Sequence, residues 1–162
     1  MRRGDLIVRG GRAEWVDGVR PDPAQWPQYC CAIVRDAAGR YMLERRPADA
    51  RDAPGMLTCF GGKREPAEHP DRCMRRELFE ELQWRIGGMR IQRCVRLMDA
   101  AGVEVAWFYR MSAPGPKVRV RLLKGFRVEW VEADALGGAD LSGWHRAALE
   151  AERAGREVAR TE

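Results

Sequence analysis

Apolar and polar positions fall into short blocks along this chain, at first with the period of strands and later with that of helices. "YCCAIVRD" (29–36) is a continuous apolar run, the pattern of a buried strand. "AAGR" (37–40) supplies a turn, and "YMLERR" (41–46) alternates as a second strand. "PADARDAPG" (47–55) is a loop by its prolines and glycine, and "MLTCF" (56–60) is a short strand running into Gly61-Gly62. After "KREPAEH" the period becomes helical. Pro70 fits the first turn, where its missing N–H costs nothing, and Asp71 suits the positive end of the helix dipole. Leu78 and Leu82, with Phe79 beside them, form the apolar side of this helix. "MRIQRCVRLMD" (89–99) and "VEVAWFYRM" (103–111) read as strands around the turn "AAG", "SAPGPK" breaks the chain, and "GFRVEWVE" (125–132) is another strand. From Ser142, a fair N-cap, to about Val158, the spacing of Trp144, Ala148, Leu149 and Ala151 predicts a second helix. Strands, helix, strands and helix in that order imply an α/β fold, a mixed sheet with helices packed on its faces. Residues 1–28 are rich in Gly, Pro and Asp, with one hairpin signal around "WVDG". They read as a lead-in to a core of 29–162, the whole chain being one domain.

Composition narrows the class. The 162 residues, 45% hydrophobic and 33% charged, suit a globular domain long enough to bury a core. No apolar run approaches the roughly 20 residues needed to span a bilayer. The basic start "MRRGDLIVRGGRAEW" lacks the apolar stretch of a secretory signal, so a cytoplasmic location is expected. Five cysteines (Cys30, Cys31, Cys59, Cys73, Cys94), odd in number and without CxxC spacing, argue against a disulfide scaffold or a structural zinc site. The formal charge of +5 suits a polyanionic partner, but the arginines are spread along the chain and give no specific nucleic-acid signal. No membrane partner is expected, and a homodimer stays open.

Charge placement in the first helix carries more information. Glu77, Glu80 and Glu81 stand at i, i+3 and i+4, within an arc of about 100° and near the helix end, where negative charge is least favoured. Two carboxylates about 6 Å apart, at an effective dielectric of about 20, repel by about 3 kcal/mol. A divalent cation would reverse that sign, and hard oxygen ligands suit magnesium or manganese, which also bridge phosphates. A solvated face remains the alternative, because Arg76 with Glu80 and Glu81 with Arg85 are i, i+4 pairs.

From Gly62 the chain reads G-x5-E-x7-R-E-L-x-E-E-x-Q-W, its fixed members being Gly62, Glu68, Arg76, Glu77, Leu78, Glu80 and Glu81. This resembles the Nudix box, in which a glycine stands where this chain has Gln83. The resemblance implies an α/β/α sandwich and hydrolysis of a nucleoside diphosphate linked to a further moiety. It makes Glu77, Glu80 and Glu81 the ligands of magnesium, with manganese an alternative. It lets Arg76 orient a carboxylate by a fork of hydrogen bonds and Glu68 support the loop or the metal shell. A backbone carbonyl at Gly61 or Gly62 joins the ligands. The missing glycine suits a left-handed helix cap. Gln83 in that conformation would cost about 1 kcal/mol, so the helix is expected to run on toward Gly87-Gly88 or to leave by another turn.

The stretch "RRPADARDAPGMLTCFGGKREPAE" (45–68) is similar to MutT-type nucleotide pyrophosphohydrolases, which implies phosphate contacts for Arg45, Arg46 and, less directly, Arg51. A nucleoside triphosphate, deoxy or not, is then the expected substrate. Arg46, Arg51 and Gly55 also fit a signature of coenzyme A-cleaving members, whose Ser and His companions are absent. The asparagine that reads oxidised guanine has no counterpart, because the chain contains no asparagine. Stacking on Trp107, Phe108 or Trp130 competes with a core role for each. Glu129, before Trp130, resembles the late Glu-Trp pair of that subgroup and is expected to face the cleft as base or ligand while Trp130 packs under a helix; Glu104 is the runner-up. His69 and His145 read as surface residues, and His69 is assigned no role. ADP-ribose, nucleotide sugars, dinucleoside polyphosphates and coenzyme A remain as other substrates of the family. A non-catalytic nucleotide-binding module, a prenyl diphosphate isomerase and an RNA-end hydrolase remain as other functions.

Overall fold

The computed structural model describes residues 6–9, 12–15, 22–86, 91–115 and 126–161. Its strands in chain order are β1 (Leu6–Arg9), β2 (Arg12–Trp15), β3 (Tyr29–Arg35), β4 (Tyr41–Arg45), β5 (Leu57–Thr58) and β6 (Phe60–Lys63), then β7 (Gln92–Met98), β8 (Glu104–Ser112), β9 (Arg127–Val131) and β10 (Val158–Arg160). Helix α1 (Pro70–Leu82) lies between β6 and β7, and α2 (Gly143–Arg153) between β9 and β10. Among the described residues β1 and β2 pair only with each other, so a hairpin exists in the lead-in, upstream of the position expected for it; residues 16–18 of "WVDG" lie outside the described residues. The other eight strands form one mixed sheet.

The centre of that sheet is β3, whose unbroken apolar run is buried on both faces. One edge of β3 pairs in parallel with β8 over its whole length. The other edge forks. Val34 and Arg35 pair with β4, while Tyr29 to Ala32 pair with β6. β4 in turn takes β5 beyond the fork, Arg45 opposite Leu57 and Glu44 opposite Thr58. The stretch from Leu57 to Lys63 is therefore a wedge between two diverging strands, and it carries Gly61 and Gly62.

Strand alternation sends side chains to two cores. Cys31, Ile33, Tyr41, Leu43 and Cys59 meet Ala148, Leu149 and Ala151 of α2 on one face. Cys30, Ala32, Met42 and Phe60 meet Cys73, Met74, Leu78 and Leu82 of α1 on the other. This is the expected sandwich, a mixed sheet between helices. The second helix is shorter than its apolar spacing suggested. It ends at Arg153, Gly155 turns the chain at a φ of 67°, and Val158–Arg160 joins the sheet beside β7. Alanine spacing continues past such a turn without marking it.

The exit of α1 overturns the expectation for Gln83. This residue adopts φ 53°, ψ 25°, the left-handed cap that the box glycine would supply. Two local terms hold it there. Its side-chain Nε2 donates to Phe79 C=O at 3.1 Å, and its backbone N–H donates to the same carbonyl at 2.9 Å. The sharp exit also drops Trp84, only 3% exposed, into the core beneath Leu78 and Leu82. Burying an indole there outweighs a backbone penalty of about 1 kcal/mol. At the other end His69 is the N-cap, its Nδ1 accepting from Asp71 N–H at 3.1 Å, so the histidine given no role fixes the helix start. Replacing Gln83 with Gly relieves the left-handed strain and loses one exposed hydrogen bond. Urea unfolding is expected to show a net gain of about 0.5 kcal/mol; a loss of more than about 1 kcal/mol would show that the side chain, not the burial of Trp84, holds the turn.

Candidate active site

α1 lies on the face of the sheet that carries β6, and its buried stripe of Met74, Leu78 and Leu82 fixes its rotation. Glu77 and Glu81 stand beside that stripe and reach down to the wedge strand. Glu80 points outward, with its side chain 52% exposed. The three glutamates of the sequence pattern are therefore not equivalent.

The wedge strand accepts them because it has no side chains where they land. A Cβ added to Gly62 would lie 2.7 Å from the Glu77 carboxylate. Gly61 has φ 137° and runs so close to β3 that a Cβ would lie 2.2 Å from Cys30 C=O. Its N–H donates to Glu81 Oε2 at 2.9 Å. Both glycines are thus required by close approach, the first to a strand and the second to a carboxylate.

Arg76 braces the cluster. Its Nε and Nη2 donate to the two oxygens of Glu68 at 2.9 and 3.0 Å, a bidentate fork. Its Nη1 donates to Glu77 Oε1 at 2.8 Å and to Glu80 Oε2 at 3.1 Å, and its Nη2 also donates to Lys63 C=O at 3.1 Å. The hydrogen bonds from Arg76 hold Glu68 below the usual carboxylate range. Burial raises Glu77, against the pull of Arg76. Glu81 has no such partner, and burial, then the nearby Glu44 carboxylate, push it up to about 9. The surface-pair alternative holds only in part. Arg76 does meet Glu80, but Arg85 lies over the Phe79 ring at 4.3 Å instead of pairing with Glu81.

The sheet adds a carboxylate that the sequence reading passed over. Glu44 on β4 is 1% exposed, lies opposite Thr58, and has Arg46 Nη1 at 3.5 Å. Burial pushes it up to about 7. The signal was present in "YMLERR": alternation puts Glu44 on the same face as Met42, the face that receives α1.

Alternation also separates residues expected to work together. Arg45 and Glu129 share the face of Leu43, which is the α2 face. Glu129 accepts a fork from Arg45, at 2.9 Å from Nε and 2.8 Å from Nη2, and this pair keeps Glu129 low. Glu129 does not meet the helix carboxylates, and Trp130, 41% exposed with Arg40 over its ring, does not pack under a helix. Both line a surface cleft of about 750 Å³ with Arg45, Glu132, Asp134 and Asp140. Arg46 stays near the carboxylates, its Nε donating to Asp52 C=O at 2.7 Å, and Arg51 is exposed in the same loop. Trp107 and Phe108 are core residues, and Glu104 accepts from Trp107 Nε1. His145 is not a surface residue. Its Nδ1 accepts from Cys59 N–H at 3.1 Å, and burial lowers it to about 4.

A divalent cation suits this donor set. Every donor is a hard oxygen, two of the carboxylates are buried against each other's charge, and the glycine strand lets its backbone approach them closely. As the side chains stand, no three acidic, histidine or cysteine groups among the described residues converge on one point. Arg76 draws Glu77 and Glu80 to itself, and Gly61 N–H holds Glu81.

The sequence profile of the NUDIX domain matches residues 26–151. Comparison with curated proteins gives no match. Among solved structures, a Nudix hydrolase from M. smegmatis is similar at TM-score 0.64 with 15% identity, over 80% of this chain and 86% of that one. The MutT protein of Methanosarcina mazei Go1 is similar at TM-score 0.62 with 22% identity, over 78% and 91%. A C. elegans Ap4A hydrolase is similar at TM-score 0.57 with 16% identity, over 78% and 96%. At these identities the likeness is one of fold. Among the described residues no helix is long and apolar enough to cross a membrane.

The buried carboxylates set a pH dependence for the metal-free protein. Glu81 ionises near 4.5 in the unfolded chain and near 9 in the folded one. Between these values the folded chain holds a proton that the unfolded chain has released, so stability falls as pH rises. Glu44 acts in the same sense up to about 7. Buried His145 acts oppositely below 6.5, so the fall is cleanest from about pH 7 to 9. Unfolding in EDTA across that range is expected to show it in the wild type and to lose it in Glu81→Gln; a wild-type stability that rises over the window would refute the placement.

Proposed function

The chain belongs to the NUDIX family of pyrophosphohydrolases, and we propose that it is a magnesium-dependent hydrolase of nucleoside triphosphates that releases pyrophosphate. The observation that carries the reading is the seating of Glu77 and Glu81 on Gly62 and Gly61, braced by Arg76 and Glu68. A purely structural helix has no use for two carboxylates turned inward onto a pair of glycines. This supports turnover over a non-catalytic module.

Glu77, Glu80 and Glu81, with a carbonyl of Gly61 or Gly62, would hold the divalent ion. Such an ion neutralises a diphosphate, polarises the P–O bond and lowers the pKa of the attacking water. The chain's own groups do the rest. Arg76 keeps Glu77 and Glu80 from repelling each other and fixes their direction through its fork on Glu68. Glu80, the most exposed of the three, is reached by solvent and takes the proton of the attacking water. Arg46, beside Glu44, and Arg51, exposed in the loop that follows, would receive the phosphates. Trp130 lies opposite Met42, on the face that receives α1, and its exposed ring would stack on the base. The phosphate role of Arg45 and the base role of Glu129 are not retained, because the two are tied to each other on the opposite face. The same carboxylates would serve nucleotide sugars or dinucleoside polyphosphates, and the substrate is read from the products.

A magnesium-dependent assay across nucleoside triphosphates, ADP-ribose, nucleotide sugars, dinucleoside polyphosphates and coenzyme A is expected to show pyrophosphate and a nucleoside monophosphate from the first group. Glu81→Gln and Glu80→Gln are each expected to lower kcat by about 100-fold or more. Wild-type rates in both variants, on every phosphate substrate that the wild type cleaves, would sink the assignment.

A further inference from the structure

Two buried polar side chains stand on the sheet directly below the carboxylates of α1, and neither belongs to the sequence pattern of the helix. Glu44 on β4 is 1% exposed, and Thr58 on β5 is 5% exposed. They are cross-strand partners, so their side chains project from the same face. That face also carries Met42 and Phe60, which pack against α1. Val128 on β9, the partner of Glu44 on its other side, closes the flank with an apolar group.

The hydrogen bonding of this pair is incomplete. Arg46 Nη1 approaches Glu44 Oε1 at 3.5 Å, the outer limit for a hydrogen bond, while its Nε is engaged at 2.7 Å by Asp52 C=O. Thr58 Oγ1 is buried with no partner at all. Buried hydroxyls are almost always paired, with protein or with ordered water. An unpartnered hydroxyl beside a buried carboxylate, facing a second carboxylate on the opposing helix, is a set of oxygens suited to a hydrated cation. An apolar strand pair would have filled the same space with less cost.

We propose that Glu44 and Thr58 form the sheet-side half of the metal site. Glu44 supplies a carboxylate ligand to a divalent cation shared with Glu81, and Thr58 Oγ1 hydrogen-bonds a water on that cation. The inference rests on the hydrolase reading above and extends it from a helix-borne site to one built from both layers of the sandwich. It also gives Arg46 a second task. Its charge, 3.5 Å from Glu44, offsets part of the buried carboxylate's cost in the metal-free protein.

Manganese binding tests this without relying on turnover. Electron paramagnetic resonance or calorimetric titration of the full chain with Mn²⁺ is expected to show Glu44→Gln with one fewer bound ion, or with at least one site weakened about tenfold or more. Thr58→Val, of nearly the same shape, is expected to weaken the same site by less. Glu44→Asp is expected to restore part of the loss, as a ligand would and a packing residue would not. Unchanged number and affinity of Mn²⁺ sites in Glu44→Gln would overturn the proposal. If Glu81→Gln then still abolished both turnover and binding, the hydrolase reading would stand with the helix-borne site alone.

Discussion

The organisation of this protein depends on one costly arrangement, two glutamates of a helix pressed onto the Gly61-Gly62 step of a strand, where no side chains stand. Glu77 and Glu81 leave solvent because the apolar stripe of α1 must be buried, and the stripe and the carboxylates are neighbours on one helix. Burial opposes their charge, and Arg76 relieves Glu77 but not Glu81. Much of the local architecture follows from accommodating this. Gly61 and Gly62 have no Cβ because one would collide with β3 and the other with Glu77. The fork between β3 and β4 exists because the glycine strand needs a place between them.

The left-handed exit at Gln83 belongs to the same constraint. A helix that continued past Leu82 would carry Trp84 away from the core it completes. The box glycine would make this turn without strain. Here a glutamine makes it with a side-chain hydrogen bond and the burial of an indole. The turn keeps the left-handed geometry a glycine would take while its chemical support differs, and the packing of α1 dictates where the helix stops.

The sequence made the fold class and the helix carboxylates legible for physical reasons. β3 is a run of apolar residues that only a doubly covered strand explains, and the spacing of Glu77, Glu80 and Glu81 is a local property of one helix. What remained hidden was relational. Glu129 and Arg45 looked like site residues in their own stretches, yet the register of β9 against β4 puts both on the α2 face, bound to each other. Glu44 looked like an ordinary strand glutamate until the fork placed Thr58 opposite it. Strand β10 was lost inside a helical spacing, because its residues gain their meaning only from β7. The cap role of His69 was equally silent, since it depends on a ring nitrogen reaching Asp71 N–H.

On this reading the inward carboxylates of α1 exist to hold divalent cations over the glycine strand. Diffraction at the manganese absorption edge, from crystals grown with Mn²⁺ and a non-hydrolysable nucleoside triphosphate, tests it most directly. Anomalous peaks are expected within ligand distance of Glu77 and Glu81, with Arg76 withdrawn from Glu77 and retained on Glu68. Peaks confined to the cleft of Glu129, Glu132 and Asp134, with Glu77 still bound to Arg76, would contradict it.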